Sequence, residues 1–412
     1  MKTRKLITST AAVMAAALVL TGCGTKSEDG ESASSAGCVD TSGDSVKLGF
    51  LNSLSGTMAI SEVTVSNSLK LAAEEINADG GILGKQIAIV QEDGASEPDI
   101  FAEKAKKLIQ DDCVAAVFGG WTSSSRKAML PVFESLDNLL FYPVQYEGLE
   151  ASDNIFYTGA TTNQQILPGL EYLKAEKKIK TLFLVGSDYV FPRTANDEIK
   201  QWAAANDVEV LGEEYQPLGE AEWGPAIDKI TKAKPDAVFN TINGDSNVAF
   251  FKAYFDKGLS KTPVISVSIA EEEVAAMGAD LLEGQLTAWN YYQTLDTPAN
   301  ETFVAAYKKK YGKNKPTSDP MEAAYTSLYL YKAMVEKAES FEVADIQEAA
   351  DGVTFEAPEG LVTVDGDNHH ITKTGRIGEV QPNGLIDTVW ESDGPIDPDP
   401  FLEGYDWYKK SS

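Results

Sequence analysis

Val114-Ala115-Ala116-Val117-Phe118-Gly119-Gly120-Trp121-Thr122-Ser123-Ser124-Ser125 is an unbroken apolar run that stops at a glycine pair and gives way to hydroxyl side chains. Without polar alternation, the run has the pattern of a strand buried on both faces, as a parallel sheet requires. Ser and Thr favour helix N-termini, and residues 126–136 are helix-compatible, so the hydroxyl loop joins a strand end to a helix start whose unpaired N–H groups point outward. A second run, Leu139-Leu140-Phe141-Tyr142, stops at Pro143 and delivers Val144-Gln145-Tyr146-Glu147-Gly148. If the two strands are neighbours, their loops emerge side by side at the carboxyl edge of the sheet, where open α/β folds bind ligands.

Outward from this stretch the same alternation continues. Upstream, strands are expected at 46–51 and 86–91, with helices at 64–79 and 98–110; the first strand ends in the polar loop Asn52-Ser53-Leu54-Ser55-Gly56-Thr57. After a short strand at 155–159 the pattern restarts, with strands at 181–186, 208–215, 237–241 and 264–268 and helices between them. These strands also end in polar loops, at Ser187-Asp188-Tyr189, Asn243-Gly244-Asp245-Ser246 and Glu271-Glu272-Glu273. The expected fold class is α/β, as two doubly wound parallel-sheet lobes joined by a multi-crossover hinge. Lobe I is assigned residues 46–159 and 290–352, and lobe II residues 160–289 and 353–412. A cleft between hinged lobes is a natural ligand site.

A hydroxyl turn alone is a capped turn, and a Tyr-Pro pair alone is a strand end. Their conjunction is more specific. Trp121-Thr122-Ser123-Ser124-Ser125-Arg126-Lys127-Ala128, Tyr142-Pro143-Val144-Gln145-Tyr146-Glu147-Gly148 and Gly186-Ser187-Asp188-Tyr189-Val190-Phe191-Pro192-Arg193 occur in this order at three expected strand ends. The set resembles the amide and urea branch of the type I periplasmic-binding-protein superfamily, over the chain from about Val46 to the C-terminus. The Tyr-Pro-Val-Gln-Tyr-Glu-Gly form resembles urea-binding subunits of bacterial ABC importers. Amide-sensor relatives tend to read Tyr-Pro-Thr-Pro-Tyr, so Val144 and Gln145 point towards urea. The resemblance implies ABC permease subunits in the membrane as partners, with short-chain amides or branched-chain amino acids as the alternative ligands.

At the N-terminus Lys2, Arg4 and Lys5 precede an apolar run over 11–20 that is too short to span a bilayer. Residues 1–22 read as a lipoprotein signal peptide. Leu20-Thr21-Gly22-Cys23 resembles the bacterial lipobox, which implies lipidation of Cys23 and an anchor on the outer face of the cell membrane. Residues 23–45, rich in Ser, Gly and acids, read as a flexible tether. Net charge is −28, which leaves no basic footprint for nucleic acid. Of the cysteines beyond the lipobox, Cys38 precedes the first strand and Cys113 opens a neighbouring one, so a disulfide between them is expected.

Catalytic and cofactor chemistry finds no support. There is no Gly-x-Ser-x-Gly elbow, the only histidines are the adjacent His369 and His370, and Gly80-Gly81-Ile82-Leu83-Gly84-Lys85-Gln86 lacks a phosphate loop's spacing. No cofactor or metal is expected, and the chain reads as a receptor. A small planar amide or urea needs donors for its carbonyl, acceptors for its N–H edge and flat surfaces for its faces. Ser123 and nearby N–H groups suit the carbonyl; Gln145 and Glu271 suit the N–H edge; Trp121, Tyr142, Tyr189 and Phe191 suit the faces, and Thr122, Val144 and Asn243 are expected beside them in the same site.

Overall fold

The computed structural model describes residues 38–409. The expected signal peptide, Cys23 and the first part of the tether lie outside the described residues. From Ser45 the chain forms β1 (Ser45–Asn52), α1 (Ala59–Ala78), β2 (Gln86–Asp93), α2 (Pro98–Gln110), β3 (Val117–Gly119), α3 (Ser123–Leu136), β4 (Leu140–Tyr142) and β5 (Ile155–Tyr157). The five strands pair in parallel in the order β5-β4-β3-β1-β2. The expected helix at 64–79 starts earlier, at Ala59; Met58, its N-cap, offers no capping side chain to mark the start. The hydroxyl residues Ser123–Ser125 form the first turn of α3 itself, because Thr122 takes the cap and accepts the Ser125 N–H at 3.1 Å.

The alternation then restarts with α4 (Ile166–Ala175), β6 (Thr181–Ser187), α5 (Val190–Ala205), β7 (Glu209–Gln216), α6 (Gly224–Ala233), β8 (Ala237–Thr241), α7 (Ser246–Asp256), β9 (Val264–Ser266), α8 (Glu271–Met277) and β10 (Leu286–Trp289). These strands form a second parallel set, β7-β6-β8-β9-β10. Next come α9 (Pro298–Tyr311), α10 (Asp319–Ala338), α11 (Val343–Ala350), β11 (Thr354–Ala357), β12 (Gly360–Asp365), β13 (His370–Ile371), β14 (Lys373–Val380) and β15 (Ile386–Ile396).

The lobe boundary expected at residue 353 falls later. β11, β12 and β13 complete the first sheet, since His370 of β13 pairs with Tyr157 of β5, and only β14 and β15 join the second, beside β10. Both sheets are therefore mixed rather than purely parallel: short connections can join only antiparallel strands, and β11–β12 and β14–β15 are joined that way. Register organises the first core. Phe118, Phe141 and Phe156 stand opposite one another on adjacent strands, so their rings stack at 4.8 and 4.9 Å, with Tyr331 of α10 edge-on to the first two. Such ring pairs contribute about 0.5–1.5 kcal/mol each beyond area burial.

The chain passes between lobes at three places: after β5, after β10 and between β13 and β14. All three are tied together. Asn290, in the second crossing, donates its side-chain N–H groups to Gln164 O in the first (3.1 Å) and Thr374 O in the third (3.0 Å). Gln164 Nε2 in turn donates to Ile371 O at 2.9 Å. Beside them Lys373 is fully buried, its Nζ 3.0 Å from both Glu359 oxygens and 3.2 Å from Thr158 O. Asp319 Oδ2 accepts the N–H groups of Asn290 and Tyr291, at 2.9 Å each.

Two outcomes follow for stability. Lys373→Met leaves Glu359 buried without its cation, and removing one partner of a buried ion pair costs roughly 3–5 kcal/mol. Thermal unfolding checks this, and a loss below about 1 kcal/mol removes Lys373 from the hinge argument. The Cα atoms of Cys38 and Cys113 stand 5.5 Å apart, ordinary disulfide spacing. Mass spectrometry of unreduced peptides should find them joined; two free thiols would refute the bond.

Candidate functional site

The carboxyl ends of β1, β3 and β4 face those of β6, β8 and β9 across the space between the lobes. On the first lobe, Asn52 ends β1 fully buried with neither side-chain atom hydrogen-bonded, and it lies against Gly119. Trp121 is also buried, and its Nε1–H has no partner. The N–H groups of Ser123 and Ser124 open α3 and have no intrahelical acceptor. The Ser123 hydroxyl is committed elsewhere: it donates to Glu147 Oε2 at 2.5 Å and accepts from Arg126 Nη1 at 3.0 Å. Of the groups expected to meet a carbonyl there, the backbone N–H groups remain.

Arg126 is the part of this wall that sequence reasoning missed. It is fully buried, with Nη2 3.2 Å from Glu147 Oε1, Nε 2.7 Å from Glu150 Oε1, and its guanidinium 4.4 Å above the Tyr146 ring. Burial works against its charge, but Glu147, Tyr142 and Glu150 outweigh that and hold it firmly protonated. Its only sequence signal was the position three residues beyond Ser123, one turn along the same helix face. Tyr142 lies beneath the same guanidinium and donates its hydroxyl to Trp121 O, fixing the loop that carries the indole. His370 sits under Tyr146, Nε2 to Oη 2.6 Å, and stacks on Tyr157 at 4.2 Å. The adjacent histidines thus serve packing.

The remaining expected residues divide. Val144 and Phe191 are packed into the cores of the first and second lobes. Gly159 in the first crossing permits the former, because a Cβ there would collide with the Val144 carbonyl. Tyr189 is partly exposed as a residue, yet its hydroxyl end is buried; burial first, then Tyr142 and Glu147, push its pKa well up. It therefore belongs to the same neighbourhood as the Arg126 cluster. Gln145 reaches across to the second lobe: Nε2 donates to Val267 O at 2.8 Å and Ser268 Oγ at 2.9 Å, while Oε1 is buried and unpartnered. Ser268 Oγ donates to Asn243 Oδ1 at 2.9 Å. Glu271 is divided: Oε1 accepts the Gln293 N–H of the second crossing at 2.7 Å, while Oε2 is buried without a partner.

The lobes also touch elsewhere. Ser61 Oγ of α1 donates to Glu273 Oε1 of α8 at 2.5 Å, and Thr57 and Met58 lie against Gly244. Gly244 has φ +64°, and a Cβ there would stand 2.9 Å from Thr57 O, so only glycine fits this approach. The interface gathers buried acids. Burial pushes Glu62 up to about 8 despite the Ser53 N–H, Glu271 to about 8, and Glu273 to about 7 despite the Ser61 hydroxyl.

Periplasmic binding protein domain is the description of the family model that matches residues 46–406. "Leu/Ile/Val-binding protein homolog 6" of Brucella melitensis is 25% identical over 350 residues, 82% of this chain and 88% of that one. "Leu/Ile/Val-binding protein homolog 7" of the same organism is 26% identical over 345 residues, covering 78% and 84%. Among solved structures, a solute binding protein of an ABC transporter from Rhodopseudomonas palustris in complex with 3,4-dihydroxybenzoic acid superposes with a TM-score of 0.78 at 24% identity, covering 86% of this chain and 99% of that one. The branched-chain amino acid transporter substrate binding protein LivJ from Streptococcus pneumoniae, in complex with isoleucine, gives 0.76 at 21%, covering 86% and 100%.

A pH dependence follows from the interface acids. Each has a folded pKa above its unfolded value, so it stabilises the fold at low pH, and that contribution is lost as pH rises through the folded pKa. From pH 6.5 Glu62 and Glu271 act this way up to about pH 8 and Glu273 only up to about pH 7, while His370, pushed down to about 3 by burial, titrates below the window. The unfolding free energy should fall across that window, by on the order of 1 kcal/mol per pH unit for each proton released on unfolding, and the thermal midpoint should fall with it. Glu62→Gln should flatten the slope. A midpoint that holds level or rises would show these acids to be ionised in the fold.

Proposed function

Since the chain belongs to the periplasmic binding protein domain family, we propose that it is the extracytoplasmic receptor of an ABC importer and that it binds urea between its lobes. It is a binding protein rather than an enzyme. One observation carries the ligand reading. Both cations beside the site are met, Arg126 by Glu147 and Glu150 and Lys127 by Glu150. Among the described residues at this wall an anionic ligand therefore finds no unpaired cation, whereas a neutral amide finds unpartnered hydrogen-bonding groups. Trp121 Nε1–H, Asn52 Nδ2 and the first N–H groups of α3 suit a carbonyl oxygen; Asn52 Oδ1 and Gln145 Oε1 suit N–H donors. Leaving such groups buried and unpaired costs roughly 1–3 kcal/mol each, so a ligand that pairs them gains correspondingly.

A branched-chain amino acid is the second reading. The N–H groups at the start of α3 suit a carboxylate. Calorimetric titration of the purified chain with urea, acetamide, isoleucine and 4-hydroxybenzoate separates the two. Urea should bind tightest, and acetamide, which lacks one N–H₂ group, should bind at least tenfold more weakly. Binding of isoleucine without urea would replace this reading with the second. The partners in this proposal are ABC permease subunits, with the cell membrane held through lipid on Cys23. Cys23→Ala should leave the protein in the soluble fraction with unchanged urea affinity; a variant still on the membrane would end the anchor proposal.

A further inference from the structure

We propose that Gln145 couples ligand to lobe closure and that Ser268 is the residue that positions it; this rests on the urea reading above. Gln145 stands on the loop after β4 of the first lobe, yet every hydrogen bond found for its side chain goes to the second. Val267 O can only accept, which fixes the amide: nitrogen towards the second lobe, oxygen away from it. Ser268 Oγ accepts from Gln145 and passes its own hydrogen to Asn243 Oδ1. Asn243 is held in turn, its N–H on Ser187 Oγ at 3.1 Å and its Nδ2 on Thr241 O at 3.1 Å. The relay thus ends on the carboxyl ends of β6 and β8, the rigid rim of the second lobe.

The consequence is a two-part condition. When the lobes separate, the Gln145 amide loses Val267 and Ser268 and is free to rotate in water. When they close, its N–H groups are satisfied, but Oε1 becomes buried without a donor. A ligand N–H at that oxygen removes the penalty. Closure and N–H recognition therefore favour each other through one side chain. Acetamide presents a methyl group where urea presents its second N–H₂, so it holds the lobes together less well.

The test uses the mature chain with urea, acetamide and isoleucine as probes, Trp fluorescence for rates and small-angle X-ray scattering for closure. Wild type should contract with saturating urea. Ser268→Ala should release urea about tenfold faster while associating within twofold of wild type, because a closed complex must open before release. A fall confined to the association rate, or an unchanged dissociation rate, overturns the proposal. Gln145→Glu keeps an acceptor for the ligand but has none of the N–H groups that Val267 O needs, so saturating urea should fail to contract it. Contraction equal to wild type overturns the proposal. If isoleucine rather than urea contracts wild type, the urea reading fails, and the same variants judge the coupling with isoleucine. If no probe contracts wild type, both fail.

Discussion

A buried ammonium holds this architecture together. Lys373 sits where the chain crosses between lobes for the third time, bonded to the carbonyl of the first crossing and to Glu359, while Asp319 binds the N–H groups of the second. Burial alone drives a lysine towards neutrality; Glu359, Asp319 and Glu322 reverse that and keep it charged. The arrangement is polar because crossing strands belong to no sheet at that point. Their backbone groups need partners that a sheet ladder cannot supply, and long side chains on neighbouring elements provide them. A hinge built so can flex by small dihedral changes without exposing an apolar core, which leaves the separate cores of the lobes intact.

The site repeats the pattern with opposite emphasis. At the hinge the acids outnumber the cation, and burial raises Asp319 to about 6 and Glu322 further. In the wall of the site Arg126 is bracketed by Glu147 and Glu150, and its charge holds Glu150 down at about 2 although burial pulls the other way. The wall is thus fixed by ion pairs behind the surface. What it presents to the cleft is neutral: an indole N–H, amides, hydroxyl-capped backbone and a tyrosine from the opposite lobe. Specificity on such a surface comes from matching donors to acceptors rather than from charge.

Sequence periodicity was enough to reveal the alternating strands and helices, because β3 and β4 are buried on both faces and lie in unbroken apolar runs, and β8 and β9, also fully buried, open on apolar residues. It was not enough to place residues 354–371. Short hairpin strands carry the same alternation whichever sheet they extend, and here the pairing of His370 with Tyr157 decides. Within the site, loops at strand ends were legible, as were Trp121, Gln145 and Tyr189. The commitment of the Ser123 hydroxyl was not, since Glu147 lies on another loop and nothing local links the two. For the same reason the bond from the Gln293 N–H to one Glu271 oxygen was not legible. Sequence separation hides such pairs, while strand-end position shows through.

The acid balance bears on why a ligand is needed at all. Glu62 and Glu273 are buried where the lobes meet, and burial favours their protonated forms. Taking two acids out of water costs solvation, which favours separation in the absence of ligand. The contacts across the interface that oppose this include the Ser61–Glu273 bond and the Gln145 amide, each of which replaces a bond to water and so contributes only about 1 kcal/mol net. A closed state poised this finely responds to a small ligand, because one or two newly satisfied buried groups suffice to shift it. A tightly apolar interface would close without ligand and signal nothing.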